Sequence, residues 1–304
     1  MASAGARTAG FTASAARRAM EAACAAVRLD GSGAELIRLG ENALFRLAGH
    51  PVIARVARSL AYMDSVRTEV GVSRWLASEG FPAARAVEDL EQPVVAAGHP
   101  VTFWHLIREG NRKATYGGLG GVLRDLHTMT PPDVLGLSAH DAFGRTALRV
   151  ERAAGIPEPD RAFLKERGRE LRERLADLRF ESEKGPVHGD AHVQNLMVDS
   201  AGRVLLIDFE NFCFDHPEWD LMVTATEHHR LGWQTREQYA DFVTAYGRDL
   251  GDWEGFAVLR GIQEFRMTTW LMQNVGENRS VAEEYARRIT SLRNGTAPRD
   301  WQPG

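Results

Sequence analysis

Residues 186–220 read PVHGDAHVQNLMVDSAGRVLLIDFENFCFDHPEWD, and the rest of the chain is best understood outward from this stretch. Leu196 to Val198 and Val204 to Ile207 are short apolar runs on either side of Asp199-Ser200-Ala201-Gly202. Two strand-like runs around a turn-forming quartet predict a β-hairpin. A hairpin returns the chain to its starting end, so Asn195, before the first strand, and Asp208, after the second, are expected close together. Asp190 sits on the loop leading in, five residues before Asn195. Two carboxylates and an amide are then expected to converge at one hairpin mouth.

That set of groups suits phosphoryl transfer. The reaction uses Mg²⁺ held by hard oxygen ligands, and a carboxylate to take the proton of the attacking hydroxyl. Asp-x4-Asn followed by a hairpin and a further Asp supplies these parts in the order of kinase catalytic loops. Asp190 is then the base, with Asn195 and Asp208 as metal ligands. A metal-dependent hydrolase is the competing reading, because His188, Asp190, His192 and Asp208 can be drawn as a His/Asp metal cluster. It leaves Arg55, Glu69 and Asn195 without roles. A non-catalytic relative that kept only the fold would usually have lost Asp190 or Asp208, and both are present.

HGDAHVQN, then LLIDFE, then PEWDL resembles the aminoglycoside phosphotransferase family of the protein-kinase-like superfamily, whose motif is His-x-Asp-x4-Asn with a downstream I-D-[FW]-E. His188, Asp190, Asn195 and Asp208 match it position for position, and a weaker match runs from about Ala34 to Arg293. The resemblance implies a catalytic Asp190, Mg²⁺ on Asn195 and Asp208, ATP as co-substrate with GTP left open, and Asp220 bracing the loop together with a structural His188. A fold of this type needs a cation on its third strand for the nucleotide phosphates, paired with a helix glutamate. VIARVAR offers Arg55 and the following helix offers Glu69. Arginine replaces the usual lysine, yet it keeps its charge and grips phosphate bidentately. Gly40-Glu41-Asn42 is the corresponding turn over the phosphates, and Val101 to His105, with Phe103 and His105, the linker whose backbone faces adenine.

The flanking sequence agrees with a two-lobe α+β fold: a small antiparallel-sheet lobe with one helix (1–104, including an Ala-rich 1–30 extension) and a larger helical lobe (105–304). AELIRLG, ALFRLAG and VIARVAR read as strands between Gly-containing breaks. Asp64 is the expected N-cap of a helix carrying Val66, Val70 and Trp75. Pro93 to Ala97 and Val101 to Trp104 read as buried strands. Beyond Trp104, Leu119, Val122, Leu123 and Leu126 form a helical stripe, residues 159–178 a second helix, and residues 217–294 further helices.

Composition narrows the function. The chain has 304 residues, 44% hydrophobic and 26% charged, which excludes a disordered or disulfide-stapled chain. Lys plus Arg is 37 against 41 Asp plus Glu, a balance of −4 that argues against a nucleic-acid backbone as partner. No stretch approaches a membrane span, and two cysteines far apart suit a cytoplasmic setting. Residues 205–300 hold 16 acids and 10 bases. An acidic lobe suits a cationic small-molecule hydroxyl acceptor, such as an aminoglycoside or a basic peptide antibiotic, with Glu210, Asp215, Glu227 and Glu264 as candidate contacts. Choline, homoserine and sugar acceptors are the metabolic alternatives within the same family. Trp233, Trp253 and Trp270 offer rings that could stack on a sugar or cation, but tryptophans on amphipathic helices are more often core.

Overall fold

The computed structural model describes residues 11–273, 275–276, 278–296 and 299–302; the first ten residues of the Ala-rich extension lie outside the described residues. In chain order the first elements are α1 (Ala13–Ala26), β1 (Glu35–Leu39), β2 (Asn42–Arg46), β3 (Val52–Ala57), α2 (Met63–Ser78), β4 (Val94–Ala96) and β5 (His99–His105). They are followed by α3 (Tyr116–His127), α4 (Thr146–Arg152), α5 (Glu158–Ala176) and β6 (Gly185–Val187). The hairpin strands β7 (Leu196–Val198) and β8 (Val204–Leu206) come next, then β9 (Cys213–Asp215). Helices α6 (Glu218–Thr226), α7 (Arg236–Tyr246), α8 (Phe256–Leu271) and α9 (Arg279–Asn294) complete the order.

The chain divides into two compact units. One holds the chain up to Lys113 with Pro132–Leu135 and Met197–Asn211; the other holds Ala114–Pro131, Gly136–Leu196 and everything from Phe212 onward. The hairpin segment, which interrupts the helical half in sequence, therefore groups with the sheet.

The sheet-bearing unit is built on five antiparallel strands in the order β1-β2-β3-β5-β4. Side chains alternate across a strand, and the register pairs Ala43 with Val56, Phe45 with Ala54, and Ala54 with Phe103. That row is buried with Ala16, Ala19, Met20, Ala23 and Cys24 of α1, whose spacing is one helical stripe. Alanines on the stripe let the helix lie close to the sheet, and burial of Met20 alone is worth about 1.5–3 kcal/mol. The opposite row pairs Leu44 with Arg55 and Arg55 with Thr102. Arg55 thus lies on the face that α1 does not cover, and strand alternation alone puts it there.

Helix α2 starts earlier than the sequence suggests. A 3-10 turn, Leu60–Tyr62, runs straight into it, so Tyr62 takes the cap position without a side-chain bond and Asp64 is a fully exposed first-turn residue. The turn itself meets the early N–H groups that a capping aspartate would have met. The Asp199 carboxylate closes the β7–β8 turn by accepting from the N–H groups of Ala201 and Arg203, at 3.0 and 2.9 Å.

In the helical unit, α3 packs on α7 closely enough that a Cβ at Gly120 would stand 2.4 Å from the Phe242 carbonyl oxygen. Leu119, Val122, Leu123 and Leu126 are buried as their periodicity requires. Strands β6 and β9 pair antiparallel, Val187 opposite Cys213. Helix α5 buries Leu164 and Leu171, while Leu175 and Leu178 stay half-buried because the helix ends at Ala176. Among the described residues no helix is long and apolar enough to cross a membrane.

Candidate active site

In the sheet-bearing unit, Arg55 of β3 is shared by three carboxylates. Its Nη1 lies 2.6 Å from Glu69 Oε2 of α2, and its Nη2 lies 3.1 Å from Glu210 Oε2 and 3.6 Å from Asp208 Oδ1. With the Asn42 amide carbonyl turned toward the guanidinium, it accepts from Nη2 at 2.7 Å and from Nε at 3.2 Å. Asn42 thereby joins the cluster, whereas Gly40 contributes the turn, its N–H donating to the Asn42 carbonyl at 3.0 Å. One cation among three acids leaves a negative excess. Burial pushes the Glu69 carboxyl up to about 7, Asp208 and Glu210 push the same way, and Arg55 opposes them. Burial works to lower the Arg55 pKa, but its three carboxylates outweigh that and hold it above the usual arginine range.

Asp208 is the strained member. Its φ is +68°, the left-handed region that a non-glycine residue enters only when its surroundings demand it. Its Oδ1 is closed off from solvent and accepts no hydrogen bond. The Arg55 ion pair at 3.6 Å offsets part of the cost of burying this oxygen, and a hard cation is a ligand that would suit it.

In the helical unit, the loop after β6 is held from behind by Asp220, fully buried in the first turn of α6. The backbone N–H groups of His188 and Gly189 each donate to this carboxylate at 2.8 Å, and His127 Nε2 bonds it at 3.0 Å. The other His127 nitrogen meets the Tyr246 hydroxyl at 2.9 Å, so α3, α6 and α7 together position the loop. Gly189 makes the bend, with φ +80°. Burial would raise the Asp220 pKa; the His127 hydrogen bond, with the charges of His127 and His188, outweighs it and holds the group below the usual range.

Asp190 follows that bend with its side chain 44% exposed, 3.6 Å from His192 Nε2. Desolvation works to raise its pKa, but His192, His188 and Arg266 hold it below the usual range. Asn195 ends a 3-10 turn, Val193–Asn195, and its Nδ2 donates to the Asp190 carbonyl at 2.9 Å. That bond uses the amide nitrogen, so Oδ1 is the side-chain atom that could ligate a cation. The structure therefore brings Arg55, Glu69, Asn42, Asp208 and Glu210 together in one unit, and Asp190, His192 and Asn195 in the other.

The sequence pattern of the phosphotransferase enzyme family matches residues 35–260. The chain belongs to that family. Among curated proteins none matches. Among solved structures the phosphotransferase is similar to an amicoumacin kinase in complex with AMP-PNP and Ca²⁺, at 16% identity and a TM-score of 0.69, covering 90% of this chain and 91% of that one. It is similar to a choline/ethanolamine kinase family protein from Mesorhizobium loti, at 16% identity and a TM-score of 0.61, over 92% and 98% of the two chains. An aminoglycoside phosphotransferase from Streptomyces rimosus gives 19% identity and a TM-score of 0.57, over 81% and 96%. The α+β fold is thus the protein-kinase-like one, and the chain is a phosphotransferase with an alcohol group as acceptor.

The residues that the sequence put forward around nucleotide and acceptor divide on inspection. Phe103 and His105 are strand residues of β5, and the backbone of Phe103 is already engaged. Its N–H donates to Gln92 Oε1 at 2.7 Å and its carbonyl accepts from the Val87 N–H at 2.9 Å, while its ring is buried on the α1 face. Both backbone groups of Phe103 are thus taken, where the resemblance implies a linker backbone turned to adenine. The His105 N–H donates to the Arg85 carbonyl at 2.9 Å and its ring bonds Glu88 at 2.8 Å. Glu210 sits on Arg55. Asp215 of β9 is buried, accepting from the His140 N–H at 3.0 Å with Lys184 at 3.2 Å. Glu264 of α8 is buried and holds Arg230 at 2.8 Å. Glu227 feels the charges of Asp190 and His192; burial raises its pKa, against a hydrogen bond from Gln234 at 2.7 Å.

Trp253 is buried and Trp233 bonds the Trp301 carbonyl, but Trp270 is 45% exposed and so is not core. His127 is the functional residue that periodicity missed: at the end of a packing helix it reads as one more helical position, and the Leu126-His127 ending was its only signal. Among the described residues no group of three or more His, Cys, Asp or Glu is placed to hold a metal, as the hydrolase reading requires.

Proposed function

We propose that the phosphotransferase is a Mg-ATP-dependent small-molecule kinase that moves the γ-phosphate of ATP to an acceptor hydroxyl. The observation that carries this reading is Asp208: a strained backbone, a buried oxygen without a hydrogen bond, and a place among three acids around a single arginine. In this reading Asp208 and Asn195 would hold Mg²⁺, which would supply the positive charge that neutralises the phosphates. Arg55, kept in place by Glu69, grips the α and β phosphates, beneath the Gly40–Asn42 turn. Asp190 accepts the proton of the acceptor hydroxyl as the new O–P bond forms and the bond to the ADP oxygen breaks. Asp220 and His188 keep the Asp190 loop in position. The sheet-bearing lobe serves the nucleotide and the helical lobe the acceptor. Two buried free cysteines agree with a cytoplasmic setting.

The acceptor class is an antibiotic of aminoglycoside or basic peptide type, or a related cationic metabolite. A second reading, an amino-alcohol acceptor of the choline or aminopropanol kind, is favoured by one observation. Of the four acids expected to draw a polycation, Glu210, Asp215 and Glu264 already hold Arg55, Lys184 and Arg230, which leaves Glu227 and so suits a single positive charge. Thermal-shift titration with ATP and Mg²⁺, followed by an ADP-release screen over hydroxyl acceptors, tests both readings. Stabilisation by Zn²⁺ with no response to ATP plus Mg²⁺ would overturn the kinase reading.

A further inference from the structure

The sheet-bearing unit contains a cavity of about 380 Å³ whose lining shares no residue with the Arg55 cluster. Part of the lining is apolar, from Phe81, Leu106 and Leu205, and part is basic, from Arg85, Arg108 and Arg203. Backbone hydrogen bonds bring these distant segments together. The Ser200 N–H donates to the Arg108 carbonyl at 2.8 Å, the Gly110 N–H to the Val198 carbonyl at 2.9 Å, and the Leu206 N–H to the Pro82 carbonyl at 3.0 Å. The His105 N–H closes the set on the Arg85 carbonyl. The cavity is therefore preformed, and its volume lies in the range of small-molecule sites, roughly 300–1,000 Å³.

Its charges do not cancel. Asp199 takes Arg203, with Nη2 at 2.7 Å, and Glu88 takes His105 at 2.8 Å. Among the described residues the Arg85 and Arg108 side chains form no hydrogen bond or ion pair. Two guanidinium groups without a direct partner, Arg85 with only the longer-range charge of Glu88 to offset it, thus line one concavity in a chain whose net charge is −4. Guanidinium groups match phosphate in shape as well as charge, binding it through paired N–H donors. The apolar part of the lining has nothing to offer a bare ion, but it can cover the body of a larger molecule.

We propose that this cavity is a second ligand site, apart from the Arg55 cluster, and that it binds a small phosphate monoester through Arg85 and Arg108. The phosphate accepts from both guanidinium groups and the ester body packs against Phe81, Leu106 and Leu205. The source of that ester, nucleotide or other phosphorylated metabolite, follows from which body the apolar lining prefers.

Isothermal titration of the full chain at constant ionic strength, with inorganic phosphate, AMP and glycerol 3-phosphate as separate probes, tests this. Saturable binding of one ester at one equivalent is expected, at least tenfold tighter than inorganic phosphate. The Arg85→Ala/Arg108→Ala double variant should weaken it tenfold or more, and Arg55→Ala should change it by less than twofold. Preference for AMP assigns the source as nucleotide, and preference for glycerol 3-phosphate assigns it otherwise. Because both arginines are exposed, the double variant should keep the fold; Arg108→Glu supplies an independent charge reversal with the same expected loss. The proposal is overturned if no probe binds saturably, if inorganic phosphate binds as tightly as the esters, or if binding survives in the double variant. No turnover is read, and glycerol 3-phosphate lacks the adenosine that the nucleotide site of the kinase reading would take, so that arm does not depend on whether the kinase reading holds.

Discussion

Asp220 and Asp208, one acid in each unit, are treated in opposite ways: Asp220 is fully buried, whereas the Asp208 side chain is 41% exposed with its Oδ1 alone shut off from solvent. Asp220 accepts from two backbone N–H groups and from His127, so its charge is fully compensated by fixed donors. Asp208 has a buried oxygen without a hydrogen bond, a left-handed backbone, and a share of one arginine that also serves Glu69 and Glu210. The first arrangement is what a structural acid requires. The second agrees with the proposed role of Asp208 as a ligand for a cation supplied from outside. Full burial with complete hydrogen bonding marks Asp220 as an acid that holds the fold, and the lack of both at Asp208 suits the chemistry proposed for it.

The sharpest way to test that distinction is through Asp190, which the buried brace positions. Asp190→Ala should cut turnover by about 10²–10⁴-fold, the usual contribution of a positioned base, with ATP affinity retained; ADP release and calorimetry measure the two separately. Normal turnover in this variant would remove Asp190 from the reaction. Next in size, Asp220→Ala should lower folding stability by about 3–5 kcal/mol, because it strips the acceptor from two buried N–H groups and from His127. Urea denaturation reads that loss.

Asp208→Asn breaks the comparison from the other side. Asparagine tolerates a positive φ, so folding stability should move by less than about 0.5 kcal/mol, while Mg²⁺-dependent stabilisation by ATP is lost. A large fall in stability would make Asp208 a structural acid after all.

The smallest effects lie in the pH dependence of stability, where the two regions have opposite signs. Asp220 has a depressed pKa, so its contribution is complete above the unfolded value of 3.8 and is lost as pH falls through the folded one. Glu69 is raised from 4.5 to about 7, so its contribution is complete below 4.5 and is lost as pH rises through about 7. Melting temperature followed between pH 4 and pH 8 should show the second slope, and Glu69→Gln should flatten it.

Much of this was legible from residue order because it depends on local rules. Alternation along VIARVAR put Arg55 on the face away from its apolar neighbours, and the Asp199–Gly202 quartet with its flanking apolar runs specified the hairpin. The spacing of Asp190, Asn195 and Asp208, through its resemblance to a known motif, pointed to the family that the matched residues 35–260 then showed. The partners of the acceptor-side acids were not legible because the partner of a charge is not local. Glu210 meets an arginine 155 positions away in the chain, and nothing in the sequence around Glu210 announces it. The engagement of the Phe103 backbone was not legible for a related reason: a run of apolar strand residues does not say which backbone groups a side chain such as Gln92 will claim.

Residue order by itself determined the strands, the hairpin, the helical stripes and the motif, since periodicity and turn chemistry act over a few residues. Only the tertiary structure decided which carboxylates are neutralised, that Asp208 is strained and lacks a hydrogen bond, and that Arg85 and Arg108 line one cavity. Those outcomes depend on desolvation and charge at short range in space, and distance in space is not written in distance along the chain.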